Sequence, residues 1–298
     1  MVKSKFFSSD RGVGIVLLLP SLILLLVFAI IPLFSALFLS FEKWDLIPNS
    51  TPSFIGLKNY ISLFHDEYFY KCLVNTFLIS ILAVPISVMF ALIVSIFLSQ
   101  AIRGINIYRL IYFLPGITTL TAVTTVWGYI LSPGDGMLNN LLRAVGVQNP
   151  PAWLASQVWV IPSLIVIGVW LWVGNDAVIF LAGLKAIPRE YYEASHIDGA
   201  SGWQQFRFIT VPLVSPTTFF LLVTGFISSF QMFDLIYVFT GGGPAGRTMV
   251  VNMYIYQTAF KFMRMGYACA ISFVLFFVIL ALTIFQLRAQ KKWVHYNI

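Results

Sequence analysis

The chain is 298 residues long, 59% hydrophobic and only 10% charged, with 28 Phe, 13 Tyr and 8 Trp. Soluble domains carry about 25% charged residues, so the polar side chains are too few to coat a globule, which excludes a cytosolic enzyme and leaves the bilayer as solvent. The formal net charge of +7 is then a question of topology rather than of nucleic-acid binding.

About 20 apolar residues in helical form cross the hydrocarbon core, where each unpaired charge is costly. Six long apolar runs, nearly free of charge, satisfy this and predict spanning helices at approximately 13–40, 74–101, 110–132, 158–183, 217–240 and 266–288, the fourth extending past Asp176. The first run, Gly12–Phe41, follows Lys3, Lys5 and Arg11 as a secretory signal would, but its apolar core is far longer than a signal's and no small-residue cleavage site interrupts it. It reads as a retained helix, Val13 to Ser40. With the amino terminus inside, Lys3, Lys5, Arg11, Arg103, Arg109, Lys185, Arg189, Arg207, Arg288, Lys291 and Lys292 fall on the cytoplasmic side. Lys43, Lys58, Lys71, Arg143, Arg247, Lys261 and Arg264 fall outside, a bias in the positive-inside sense that places both termini in the cytoplasm.

The exterior segments Glu42–Lys71, Ser132–Ser156 and Thr240–Arg264 are rich in Pro, Gly, Trp and Tyr, as interfacial anchors are. The whole chain, 1–298, reads as one all-α transmembrane domain. Its cytoplasmic links are unequal: the one around Arg103–Arg109 is short, whereas Lys185 to Ser215 has the punctuation of two short helices. Pro188 suits a first turn, Glu190 and Glu193 lie near the positive helix start, and Gly199 supplies a left-handed terminator. Ser201 with Gln204 forms the pattern of a capping box for a second helix ending by Pro212. On composition alone this pair is either a docking element or an amphipathic linker on the headgroups.

At these residues the sequence resembles a known family. Glu193-Ala194-Ser195, Gly199, Ile209 and Pro212 are similar to the EAA signature of binding-protein-dependent ABC importer permeases, with Ser195 in place of the second Ala and Val211 in place of Leu. The run Glu193 to Ala200, followed by Pro212 and Pro216, resembles the carbohydrate branch. Phe233-Asp234-Leu-Ile-Tyr-Val-Phe-Thr240-Gly-Gly-Gly-Pro244 looks like the element after the fifth helix in subunits of the type of the maltose permease's larger subunit. The resemblance covers Val13 to Arg288.

It implies six helices with a coupling helix between the fourth and fifth, in Arg189–Gly199, that docks on a cytoplasmic ATPase through Glu190, Glu193, Ala194, Ser195, Asp198 and Gly199. It implies further a homologous second permease, two ATPase subunits, an extracytoplasmic solute-binding protein, a sugar substrate and a bacterial plasma membrane. No nucleic acid is involved. This chain would be no enzyme and carry no cofactor, ATP and Mg residing on the partner ATPase. Gly241 to Thr248 imitates a phosphate-binding loop apart from Arg247 in place of Lys, but it follows a membrane helix rather than a strand and faces outward, so a tight turn is the better reading.

Solute contacts are sought on helix faces turned from lipid. Gly168, Leu171, Trp172 and Asn175 recur at helical spacing in the fourth helix, and Gly225, Ser228, Ser229 and Met232 repeat that spacing in the fifth. The family resemblance places substrate in this region. Trp172 suits stacking on a sugar's C–H face while Asn175, Ser229 or Gln231 exchanges hydrogen bonds; the plainer alternative is that the small residues only permit close helix packing. Asp176 and Asp234 are the only carboxylates near membrane depth, and they read as structural or pore-lining rather than as a proton relay. An ion-coupled secondary transporter using both acids is the competing function, although no internal repeat supports it.

His65, His196 and His295 lie in separate segments, so neither a metal site nor a catalytic group is expected. Cys72 and Cys269 read as small buried hydrophobes. Asn49-Ser50-Thr51 fits the glycosylation pattern but would be silent in a bacterium.

Overall fold

A computed structural model of the chain describes residues 10–47, 50–100 and 104–295. Lys3, Lys5, Asn49 and Arg103 lie outside the described residues, as does the side chain of Arg11. Among the described residues the protein is helical almost throughout, with one two-residue antiparallel strand pair, Glu42–Lys43 with Ser53–Phe54.

In chain order the helices are α1 (Asp10–Leu25), α2 (Ile31–Ser40), α3 (Lys58–Leu63), α4 (Glu67–Ser99), α5 (Ile105–Ile117), α6 (Leu120–Ile130), α7 (Met137–Ala144) and α8 (Val160–Ala186). They continue with α9 (Arg189–Ile197), α10 (Gly202–Gln205), α11 (Val211–Leu213), α12 (Ser215–Phe230), α13 (Asp234–Phe239), α14 (Val251–Tyr256) and α15 (Met265–Ala289). Two single π turns, Leu26–Ile30 and Phe206–Thr210, join α1 to α2 and α10 to α11. Each is followed within two residues by a proline, Pro32 or Pro212. A proline has no N–H for the carbonyl four residues back and its ring crowds that carbonyl, so a locally wider turn keeps the helix continuous.

Four helical stretches are long and apolar enough to cross a membrane: Leu17–Ser40, Glu67–Ser99, Val160–Ala186 and Met265–Lys292. Two bent pairs raise the number to six: Ile105–Ile117 with Leu120–Ile130, bent by 101°, and Gly202–Leu213 with Ser215–Phe230, bent by 60°. The stretch expected as one helix over 110–132 is therefore broken. Thr118 and Thr119 are extended, with ψ of 142° and 140°. The Thr118 hydroxyl donates to the Leu114 carbonyl (2.8 Å), which the interrupted helix no longer supplies with an N–H.

The stretch 217–240 is broken as well. The α12 helix stops at Phe230, and the Asn252 amide donates to the Gln231 carbonyl (2.7 Å), occupying an acceptor that a continuing helix would use. The helix of the 185–215 loop does not end at Pro212 but runs to Leu213 and bends directly into α12. Pro188 caps α9 from outside its first turn.

Two compact units are distinguishable. One comprises Met1–Asp66 with Ile255–Leu275, and the other Glu67–Tyr254 with Phe276–Ile298. In the larger unit α4, α8 and α12 pack around Val84, Val88, Ala91, Val173, Ala177, Phe180, Val214 and Leu221. Close approach of α5 to α8 requires Gly174, where an added Cβ would run into the Tyr112 carbonyl. Cys72 and Cys269 are both buried and neither is in a disulfide.

Candidate functional site: an interhelical cavity and the loop that continues from its walls

Three helices of the larger unit enclose a cavity of about 210 Å³. It is lined by Val84, Ser87 and Val88 of α4, by Trp172, Asn175 and Asp176 of α8, and by Leu221, Thr224, Gly225, Ser228 and Ser229 of α12. The Ser87 hydroxyl donates to Asp176 Oδ2 (3.2 Å), giving that carboxylate one partner from the facing helix. Ser229 is buried and donates to Ser80 Oγ (2.8 Å), so part of its hydrogen-bonding capacity is already engaged. Asn175 and Ser228 are exposed. The cavity thus offers an indole face, a carboxylate, an amide and hydroxyls within an apolar frame.

Of the residues placed on the two stripes, Trp172, Asn175, Gly225, Ser228 and Ser229 come together here, and Asp176 joins them. The others do not. Gly168 is buried outside the lining, and a Cβ there would lie 2.9 Å from the Trp172 ring, so its bareness makes room for that indole. Leu171 is half-buried and does not line the cavity. Gln231 and Met232 fall beyond the end of α12, which takes them off the helical face that carries Ser228 and Ser229. Asp234 is exposed at the first position of α13 and is not among the lining residues. The α4 contribution and Thr224 were not evident in sequence: α4 is apolar on nearly every side, so no stripe marks Ser87, and Thr224 sits one position from the chosen spacing.

Both walls α8 and α12 lead straight into the 185–215 loop. After α8 the buried Ile187 and the exposed Pro188 turn the chain into α9, and Gly199, with φ of +75°, reverses it. Ser201 and Gln204 then form the reciprocal capping box: the Ser201 N–H donates to Gln204 Oε1 (2.7 Å) and the Gln204 N–H to Ser201 Oγ (3.4 Å). Two side-chain bonds tie the helices of the loop together. Tyr192 and Thr210 share a hydrogen bond between hydroxyls (2.9 Å), and Gln205 Nε2 donates to Ser195 Oγ (3.0 Å). Glu190, Glu193, Ala194, Asp198 and Gly199 remain exposed, whereas Ser195 is half-buried within the frame.

The glycine-rich stretch that imitates a phosphate loop is preceded by α13, not by a strand. The Thr248 hydroxyl, which a nucleotide loop would give to a metal ion, is buried, donating to the Gly243 carbonyl (2.7 Å) and bonded to Thr240 Oγ1 (2.7 Å). Among the described residues, no group of three or more His, Cys, Asp or Glu side chains is arranged to hold a metal ion.

Residues 64–294 match the family described as binding-protein-dependent transport system inner membrane component. The chain is 36% identical over 301 residues to the probable ABC transporter permease protein YesP of Bacillus subtilis, covering 100% of this chain and 96% of that one. It is 33% identical over 278 residues to the lactose transport system permease protein LacF of Rhizobium radiobacter, covering 92% of each. A bacterial alginate ABC transporter, solved in complex with an alginate pentasaccharide-bound periplasmic protein, contains a chain that superposes with a TM-score of 0.84 over 96% of both chains, at 23% identity, a likeness of fold.

Proposed function

The chain belongs to the family of binding-protein-dependent transport system inner membrane components, and from that premise we propose that it forms half of the path by which an ABC importer moves a carbohydrate across the bacterial plasma membrane. It is a multi-pass permease subunit, and ATP is hydrolysed in a separate subunit of the transporter. The carbohydrate reading draws on the lactose permease relative and on the cavity's chemistry. Trp172 presents a ring to a sugar's C–H face, and Asn175, Asp176, Thr224 and Ser228 supply acceptors and donors for hydroxyls. Ser229 and Gln231 are weaker candidates, the first engaged with Ser80 and the second beyond the lining.

In this reading a second, homologous permease completes the path, two ATPase subunits bind ATP and Mg, and a solute-binding protein delivers the sugar from outside. Both termini and the 185–215 loop face the cytoplasm. The exposed Glu190, Glu193, Ala194 and Asp198 of the α9 region meet the ATPase, and Gly199 holds the reversal that presents them.

The observation that carries the reading is the covalent continuity of the loop with both cavity walls. α8 ends at Ala186, three residues before α9, and the helix after Ser201 runs into α12. With Tyr192 clasped to Thr210 and Ser195 to Gln205, a displacement imposed on α9 moves the loop as a body. It is handed to the helices that bear Trp172 and Ser228. Rigid-body rocking of these walls then opens the cavity alternately to the two sides.

The test is sugar uptake by the assembled importer carrying Trp172→Ala. Uptake should fall about tenfold or more while complex assembly is retained, as expected for loss of a stacking surface worth on the order of 1–2 kcal/mol; unchanged uptake removes the cavity from the path. The ion-coupled alternative needed Asp176 and Asp234 to act together, and only Asp176 lines the cavity.

A further inference from the structure

The smaller unit contains a cavity of its own, about 380 Å³, formed by the segment after α2, by α3 and by the start of α15. Its frame is fixed by the backbone. The Leu46 N–H donates to the Met263 carbonyl (2.7 Å), the Gly266 N–H donates to the Trp44 carbonyl (3.2 Å), and Asp45 and Arg264 face each other in an antiparallel bridge. The buried Asn59 amide closes the floor by donating to the Ser40 and Glu42 carbonyls, each at 2.9 Å.

Three cations, Lys43, Lys58 and Arg264, line this cavity against one carboxylate, Asp45. Among the described residues none of the three is ion-paired. The Arg264 guanidinium is instead held 4.5 Å over the Tyr267 ring, which leaves its hydrogen-bond donors for a ligand. Like charges gathered around a concave site repel one another, and an oxyanion between them removes that repulsion and gains charge-assisted hydrogen bonds.

The position identifies the source of the oxyanion. Lys43 follows the end of the candidate span Leu17–Ser40, and Arg264 immediately precedes the candidate span Met265–Lys292, so the cavity sits where hydrocarbon gives way to headgroups. Trp44 and Phe262 on its wall have the aromatic character of that boundary. The span Leu17–Ser40 has 0% of its most apolar window buried, so it offers acyl chains a continuous surface.

We propose that this cavity binds the headgroup of an anionic phospholipid, its phosphate held by Lys43, Lys58 and Arg264, with Asp45 accepting a hydrogen bond from a headgroup hydroxyl. The chemistry is that of a phosphate oxyanion, and the lipid is its source.

The full chain in mild detergent, titrated with phosphatidylglycerol or phosphatidylcholine and read by native mass spectrometry, tests this. Wild type should retain phosphatidylglycerol over phosphatidylcholine by roughly thirtyfold, the effect of two net juxtamembrane charges. K43Q/K58Q/R264Q should bring the ratio near one, while K43R/K58R/R264K should keep it, as should K291Q/K292Q at the opposite end of the span Met265–Lys292 from Arg264. Lys58→Gln alone, at an exposed first position of α3, should reduce the ratio about fivefold, and it carries the test if the triple variant does not fold. Equal retention of both lipids by wild type, or a preference that survives in the Gln variants, overturns the proposal. So does binding of inorganic phosphate alone without any preference for phosphatidylglycerol, which would make the source a free anion.

Discussion

Two loops of the larger unit use the same turn chemistry to opposite ends. Residues 240–251 reverse through Gly241, Gly242 and Gly246, with φ of 57°, 93° and 71°, and the 185–215 loop reverses through Gly199, with φ of 75°. In the first, most polar groups are bonded within the loop or to α4, and its one charged residue, Arg247, stays exposed. Thr248 is buried against Thr240 and Gly243, Lys71 Nζ donates to the Ala245 carbonyl (2.9 Å), and Asn75 Nδ2 donates to the carbonyls of Gly246 (3.1 Å) and Met249 (3.0 Å). The Val251 N–H donates to Thr76 Oγ1 (3.0 Å), completing the attachment to α4. In the second, a few internal bonds fix the frame while Glu190, Glu193 and Asp198 stay exposed. The bonds to α4 make the first loop architectural; the acids left exposed on the stiff frame of the second are the groups that the proposed coupling assigns to a partner.

That contrast breaks most severely at Asn75. Asn75→Ala leaves two carbonyls in a buried setting without their donor, which costs about 3 kcal/mol. Thermal unfolding in detergent should show a loss of several degrees, with folded yield reduced and no selective effect on coupling. Gly199→Ala comes next: nothing lies within 4 Å of the added Cβ, so the cost is backbone strain alone, about 1–2 kcal/mol. ATP hydrolysis by the assembled complex should then lose its dependence on sugar-loaded binding protein. Ser201→Ala removes the capping box for about 1 kcal/mol, and hydrogen exchange at the amides of residues 202–206 should rise while those of α8 are unmoved. Glu193→Ala should cost nothing measurable in stability, because its side chain is exposed on α9, and its whole effect should appear at the ATPase contact.

Much of this was legible in the sequence because membranes impose long uncharged runs. The stretches Gly12–Phe41 and Met265–Leu287 are continuous apolar text, and the structure has α1 with α2, and α15, over them. The capping pair Ser201 and Gln204 and the turn at Gly199 were readable as local chemistry that needs no tertiary partner. The 101° break at Thr118–Thr119 was not, since Thr is tolerated in membrane helices and the signal, Pro115-Gly116 just upstream, is one that many helices absorb. The end of α12 was hidden for another reason: Asn252, which occupies the Gln231 carbonyl, is distant in sequence. The cavity was half visible. Polar residues on α8 and α12 stood out at helical spacing, but Ser87 on α4 acquires meaning only from Asp176 across the gap.

The most direct test of the account is retention of the ATPase subunits by the co-expressed importer, wild type against Glu193→Ala, with folded yield of the permease measured in the same preparation. The account predicts unchanged yield and melting temperature, with ATPase retention and sugar-stimulated hydrolysis reduced about tenfold or more, as for loss of a contact worth roughly 1.4 kcal/mol at a coupling surface. A Glu193→Ala complex that assembles, hydrolyses ATP and imports sugar as wild type does would contradict it, and the exposed face of α9 would then be no coupling surface.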